Sequence, residues 1–388
     1  MTPRRLPRLV RTVQILAAAI AIAITAPDIR ADVAAVLPDP DGTPASLDRP
    51  VKVYVMMGQS NMLGFGAVEP RGTPGTLATV CHDGGLFPWL LDDAGRWTVR
   101  HDVRYAFVMQ DRGSMKVHAN DWLTPPAKGR IGPELGFGHV VGTHHDEPVL
   151  LLKACIGNRS LGWDYLPPGS ERYAFTTRDK AGAEVATVFA GYKDRPPSWP
   201  VDEARGLRTE PPEWLDKHGQ PVDWYAGKQY DDDVRNAKAV LADLGTFFPG
   251  AKGYEIAGFV WWQGHKDQSE PYAGRYEGNL VHLITSLRAD FAVPNAPFVL
   301  ATGCGNPGTQ GFGRTIAEAQ LAVDGDSGRH PEFKGNVKAV DVRRFWPDAA
   351  ASPKNQDYHY HHNAETFMRV GDALGRAMVA LEEGGADR

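Results

Sequence analysis

The chain has 388 residues, 42% hydrophobic and 23% charged, a globular composition that excludes a disordered or fibrous protein. It holds 42 glycines and 30 prolines without a Gly-X-Y period, so loops are frequent and a collagen-like fold is excluded. A formal net charge of −5 argues against nucleic acid or an anionic membrane surface as the main partner, because either favours a basic field.

The first 31 residues read as a secretory signal. Arg4, Arg5, Arg8 and Arg11 precede the apolar run 15–24, and Ala31 ends a stretch rich in small residues. A bilayer span needs about 20 apolar residues, so this run is too short to cross one comfortably; a retained anchor is the alternative. Cleavage after Ala31 removes five Arg and one Asp and takes the net charge to −9. An exported protein, periplasmic or extracellular, with no integral membrane span after cleavage is expected. The cysteines are Cys81, Cys155 and Cys304, an odd number, so at least one thiol is free or pairs with another chain. Cys155 and Cys304 each end an apolar strand-like run. A disulfide between them and three buried thiols are both compatible with export.

Residues 32–50 are rich in Pro and Asp and read as a lead-in. Strands and helices then alternate. Apolar runs at 51–57, 148–155, 256–262, 297–302 and 336–342 read as strands. Helices are expected at 135–143, opened by Pro133 at the first position, and at 233–248, 276–291, 315–323 and 363–381. Near-continuous apolar strands separated by helices predict a mostly parallel sheet covered on both faces, an α/β three-layer sandwich. Such sheets bind ligands beyond the carboxyl ends of their strands. Residues 67–130 read as irregular, and 163–230 as rich in Pro, Gly and aromatics. Both are expected to be insertions on one domain spanning 51–382.

Four blocks carry chemistry, each at a predicted strand end or before the last helix. Gly58-Gln59-Ser60-Asn61-Met62 presents a serine on the turn leaving the first strand, where free backbone N–H groups can hold an oxyanion. Taken alone, Ser60 and Asn61 also suit a helix cap. Lys153 to Ser160 follows the second apolar strand and contains Gly157, Asn158 and Arg159. Trp261-Trp262-Gln263-Gly264-His265-Lys266-Asp267 follows the third, and an amide such as Gln263 donates hydrogen bonds without titrating. Gln356-Asp357-Tyr358-His359-Tyr360-His361-His362-Asn363 precedes the final helix. A general base must reach the serine hydroxyl, which points to one of these three histidines. No H-E-x-x-H helix or carboxylate at ligand spacing accompanies them, and no phosphate-binding glycine fingerprint follows a strand, so neither a metal nor another cofactor is expected.

GQSNM, the later Trp-Trp-Gln-Gly block and the C-terminal histidine segment together resemble the SGNH-hydrolase superfamily, and within it the sialate O-acetylesterase-like carbohydrate esterases. The resemblance covers roughly 51–382. It implies a flavodoxin-like α/β/α sandwich and a Ser-His-acid hydrolase that removes acetyl groups from sugars without a metal. It implies Ser60 as nucleophile, and the Ser60 and Gly157 N–H groups with the Gln263 side chain as oxyanion donors. His359 is the favoured base, with His361 and His362 as alternatives. Asp357 is the local candidate acid, with Asp267 second. Gln59, Asn61, Asn158 and Arg159 flank these positions as candidate substrate contacts. The sequence departs from the family pattern at His265, where a Glu is common, and in the spacing of Asp357 from the histidines. An acetylated carbohydrate is the expected partner, of sialic acid or plant or algal polysaccharide type. A non-catalytic carbohydrate-binding protein on the same fold, or a lipase- or thioesterase-like hydrolase, are the alternatives.

Overall fold

The computed structural model describes residues 36–303, 308–326 and 329–386. The signal segment and Cys304 lie outside the described residues. Among the described residues, seven strands form the central sheet. They are β1 (Val51–Gly58), β2 (Arg100–Asp111), β3 (Ser114–Leu123), β4 (Val149–Ala154), β5 (Tyr254–Trp262), β6 (Phe298–Ala301) and β7 (Val337–Val340). Their order across the sheet is β7-β6-β5-β1-β4-β2-β3. Every neighbouring pair is parallel except the β2–β3 hairpin at one edge. The helices that position the site are α1 (Ser60–Leu63), α2 (Glu134–His144), α3 (Lys228–Ala242), α4 (Tyr276–Asp290), α5 (Gly311–Ala322) and α6 (Ala364–Ala386).

Successive side chains of a strand point to opposite faces, and β1 shows what this builds. Val51, Val53, Val55 and Met57 enter a core with Val240 of α3, Leu283 of α4 and Ile316 of α5. Tyr54 and Met56 enter a second core with Phe137 of α2 and Phe367 and Met378 of α6. The result is a three-layer α/β/α sandwich with β1 near its middle. Each fully buried aliphatic or aromatic side chain contributes about 1.5–3 kcal/mol, so both faces hold β1 in place. Where α2 meets α6, a Cβ on Gly371 would overlap the Pro133 carbonyl, so the small residue allows the close approach.

The structure differs from the sequence expectation in three places. Residues 100–123, expected to be irregular, are a hairpin that extends the central sheet. Charged residues such as Arg100, Asp102 and Arg104 break the apolar run of β2; Arg100 and Asp102 pair with each other, with N···O distances of 3.0 and 2.5 Å. The helix expected at 233–248 begins at Lys228 and ends at Ala242. Its first turns look polar, but Asp232 is buried and paired with Lys228 and Arg235. Pro133 precedes α2 rather than occupying its first position. Within 163–230, three short antiparallel strands (Tyr173–Arg178, Glu184–Phe189, Ser198–Pro200) surround a small core that includes Trp199. Among the described residues, no helix is long and apolar enough to cross a membrane.

Candidate active site

The turn after β1 is built by close approach. Gly58 has φ +148°, and a Cβ there would overlap the Trp262 carbonyl at the end of β5. The Gln59 N–H donates to that same carbonyl at 3.2 Å. Ser60 opens α1, so its N–H has no acceptor within the helix. The buried Gln59 amide joins two strand exits. Its Oε1 accepts from Gln263 Nε2 (3.2 Å) and from the N–H groups of Gly264 (3.4 Å) and Lys266 (3.3 Å). Its Nε2 lies 3.5 Å from Ser60 Oγ. Asn61 is buried, and among the described residues its Oδ1 has no hydrogen-bond partner.

The loop after β4 lies against this turn. A Cβ on Gly157 would stand 3.7 Å from Ser60 Cβ and 3.4 Å from Leu63 Cδ1. Among the described residues, the Gly157 N–H makes no hydrogen bond. Asn158 is exposed in the left-handed region at φ +58°. Arg159 turns away to stack over Trp224 at 4.1 Å, and its Nε donates to Gln229 Oε1 at 3.4 Å.

Gln263 is more heavily engaged than its expected role required. Its two N–H groups face three oxygens: Asp267 Oδ2 at 2.6 Å, the Arg159 carbonyl at 2.8 Å and Gln59 Oε1 at 3.2 Å. Its Oε1 accepts from the Tyr276 hydroxyl at 2.9 Å. Asp267 is fully buried and also accepts from the N–H groups of Leu161 (2.9 Å) and Gly162 (2.7 Å). Burial pushes its carboxyl up to about 7. No described hydrogen bond joins Asp267 to an imidazole.

The histidine segment has an unusual backbone. His359, Tyr360, His361 and His362 have φ of +55°, +48°, +52° and +62°, one left-handed turn made without glycine. Each such residue costs about 1–2 kcal/mol. Packing and hydrogen bonds hold it: the buried Tyr360 ring sits 5.5 Å from Trp262 and 5.1 Å from Trp346. The Lys354 N–H donates to the His361 carbonyl at 3.0 Å, and the Asn363 N–H to the Tyr360 carbonyl at 2.9 Å.

This winding sorts the three histidines. The His359 ring stacks on Phe65 at 3.8 Å, and His362 meets the same ring edge-on at 5.3 Å. His361 instead packs on Trp346 at 5.1 Å, with its Nδ1 accepting the Gln356 N–H at 3.1 Å. Burial depresses His359 to about 4, reinforced by His362, His265 and Arg130. Burial likewise depresses His362 to about 4, with help from Lys354 and Arg130. Both rings are therefore neutral at ordinary pH. Asp357 is exposed and, among the described residues, makes no hydrogen bond to His359. No described hydrogen bond joins Ser60 Oγ to an imidazole; its hydrogen-bond neighbour is Gln59. Phe65 and Arg130, whose guanidinium lies 4.4 Å from the Phe65 ring centre, escaped the sequence analysis. Only the nearness of Phe65 to Ser60 in the chain hinted at its place.

Residues 213–380 match the family model described as carbohydrate esterase, sialic acid-specific acetylesterase. The matched segment contains Gln263, Asp267, Asp357 and the three histidines, and begins after Ser60 and Gly157. No curated protein matches the chain. Among solved structures, the chain is similar to a protein from Arabidopsis thaliana at 15% identity and a TM-score of 0.44, covering 85% of this chain and 98% of that one. It is similar to a carbohydrate acetylesterase from Xanthomonas citri at 14% identity and a TM-score of 0.44, covering 84% of this chain and 55% of that one. It is also similar to NanS at 12% identity and a TM-score of 0.42, covering 87% and 99%. The family match supports the assignment to the sialate O-acetylesterase-like carbohydrate esterases that the motifs suggested.

Proposed function

We propose that the protein is an exported acetylesterase that hydrolyses O-acetyl esters of a carbohydrate through an acyl-enzyme on Ser60. The observation that carries this reading is the approach of Gly157 to Ser60 beyond the carboxyl end of β1, where, among the described residues, neither backbone N–H has a hydrogen-bond acceptor. That is the requirement of an oxyanion hole. His359 is the base: a neutral imidazole on Phe65, five residues beyond Ser60.

In this mechanism His359 takes the Ser60 proton as Oγ attacks the acetyl carbonyl carbon. The Ser60 and Gly157 N–H groups hold the oxyanion. Gln263 joins them as third donor once its bond to the Arg159 carbonyl or to Asp267 opens; until then it fixes Gln59 beside the nucleophile. His359 then protonates the departing sugar alkoxide. Water, activated by the same imidazole, attacks the acyl-enzyme and releases acetate. Asp357 is the proposed orienting acid, reached when substrate draws the exposed segment inward; catalytic hydrogen bonds commonly tighten only in the complex. Asn61, Asn158 and the Gln59 and Arg159 segments supply polar contacts to the sugar, of sialic acid or acetylated polysaccharide type.

A fluorophosphonate probe should label Ser60, and Ser60→Ala should lose both labelling and p-nitrophenyl acetate hydrolysis. Wild-type hydrolysis by Ser60→Ala would remove the nucleophile assignment. The exposed, unattached Asp357 favours a second reading, a non-catalytic carbohydrate-binding protein, which predicts no labelling at all. Activity should collapse beyond short acyl chains; retention on long chains would indicate a lipase-like enzyme.

A further inference from the structure

We propose that Asp233, Tyr165 and the Gly58 carbonyl share protons as a brace for the nucleophile turn, with Asp233 held as a neutral carboxylic acid and acting as a positioning residue. The inference rests on the esterase reading for its catalytic consequence, but not for the protonation itself.

The case is a proton count. The fully buried Tyr165 hydroxyl lies 2.7 Å from the Gly58 carbonyl oxygen and 2.6 Å from Asp233 Oδ2. A phenol carries one proton, and a carbonyl can only accept. If Tyr165 donates to Gly58, its contact with Asp233 is a hydrogen bond only when Asp233 bears a proton and donates it to the phenol oxygen. If Tyr165 donates to an Asp233 carboxylate, two lone-pair-bearing oxygens face each other at 2.7 Å in a buried site. Burial raises the Tyr165 phenol well above its ordinary range, which excludes a phenolate.

The surroundings agree. On α3, Gln229 Nε2 donates to Asp233 Oδ1 at 2.6 Å. Asp232, next in the chain and ion-paired with Lys228 at 3.1 Å and Arg235 at 2.7 Å, opposes a second negative charge beside it. From β4 and its loop come Cys155, a thiol that burial keeps neutral, and the Arg159 guanidinium. From the insertion comes Tyr165 itself. Burial pushes Asp233 up to about 7. Asp267, pushed equally high, faces N–H donors only, and so has no acceptor for an acid proton.

The brace continues outward, because Gln229 Oε1 accepts from Arg159 Nε at 3.4 Å. A hydrogen-bonded line thus runs from Arg159 at the edge of the site to the residue two before Ser60. When Asp233 releases its proton to solvent, Tyr165 turns its hydroxyl to the new carboxylate. The Gly58 carbonyl loses its partner, and a negative charge stands behind the turn that must receive the oxyanion.

Two measurements on the mature chain test this. Infrared difference spectra at about pH 6, wild type minus Asp233→Asn, should show the carbonyl stretch of a protonated carboxylic acid. This readout needs no activity. The kcat/KM for p-nitrophenyl acetate should fall on the order of fivefold between about pH 6 and pH 9 in the wild type, the scale of one hydrogen bond. Asp233→Asn donates an N–H to Tyr165 and accepts from Gln229 as the acid does, so it should hold the low-pH rate throughout. Tyr165→Phe should sit at the lower rate with a flat profile, whether or not the Asn variant folds. No acid band at Asp233, or a wild-type alkaline fall in Asp233→Asn or Tyr165→Phe, would overturn the brace. Full activity of Ser60→Ala would instead overturn the esterase reading and leave the infrared result to decide the protonation.

Discussion

Replacing Gln263 by Ala tests whether its amide serves chemistry or architecture. The substitution removes the donor to Asp267 Oδ2 and the donor to the Arg159 carbonyl, while the Tyr276 hydroxyl loses Gln263 Oε1 but keeps the Gln263 backbone carbonyl at 3.0 Å. Each buried polar group left without a partner costs about 1–3 kcal/mol. Asp267 keeps its Leu161 and Gly162 donors, so its share falls at the lower end. With the cavity included, the loss should reach about 3–5 kcal/mol, a large part of the roughly 5–15 kcal/mol that stabilises a typical domain. Urea unfolding followed by tryptophan fluorescence suits the measurement, since Trp261 and Trp262 are buried beside the network. Hydrolysis of an acetyl ester should be recorded on the same samples. A variant within about 1 kcal/mol of wild type would refute this reasoning, and one that is also slowed by about 10²–10³ would leave the amide only its proposed part as an oxyanion donor.

Further outcomes follow from the same geometry. With His359 held to about 4, kcat/KM should be level through pH 6.5 and fall tenfold per unit only below about 4, as the imidazole charges and ceases to accept the serine proton; an acid limb at the ordinary histidine value would contradict its buried, neutral state. Gly58→Ala should destabilise by at least about 3 kcal/mol, since strained backbone and overlap with the Trp262 carbonyl add. Gly72→Ala, also at positive φ but in open space, should cost only about 1–2 kcal/mol in a urea titration, and equal losses would discredit the overlap. Burial pushes the Cys81 thiol up to about 12, so a thiol reagent mapped by mass spectrometry should spare it in the native protein and modify it in urea; native labelling would show that the site opens.

Strands buried on both faces announce themselves as apolar runs, which is why β1, β4, β5, β6 and β7 were legible. The edge hairpin was not: its charges satisfy one another across a pleat, and periodicity cannot see pairing. Ser60 was singled out by its five-residue context together with the later blocks, since a lone serine after a strand is more often a helix cap. Spacing alone did not separate the histidines, and only the resemblance favoured His359, since their sorting depends on a left-handed backbone that no spacing rule anticipates. The engagement of Gln263 was equally hidden. It depends on the Arg159 loop and Asp267 meeting from distant parts of the chain, a fact of packing rather than of local pattern. Among the described residues, neither Asp357 nor Asp267 is hydrogen-bonded to a histidine, a pairing that closeness in the chain does not supply.

The turn at 359–362 has a bearing on when the molecule becomes competent. Its winding opposes the intrinsic preference of every residue in it, so it has no reason to form in a nascent or half-assembled chain. It can be wound only after the Trp262 and Trp346 walls exist to receive Tyr360, and those walls come from separate parts of the polypeptide. The imidazole is thus among the last groups to be set. On the proposed mechanism, a half-assembled chain would carry its serine but no aimed base, and would be chemically silent until folding was complete.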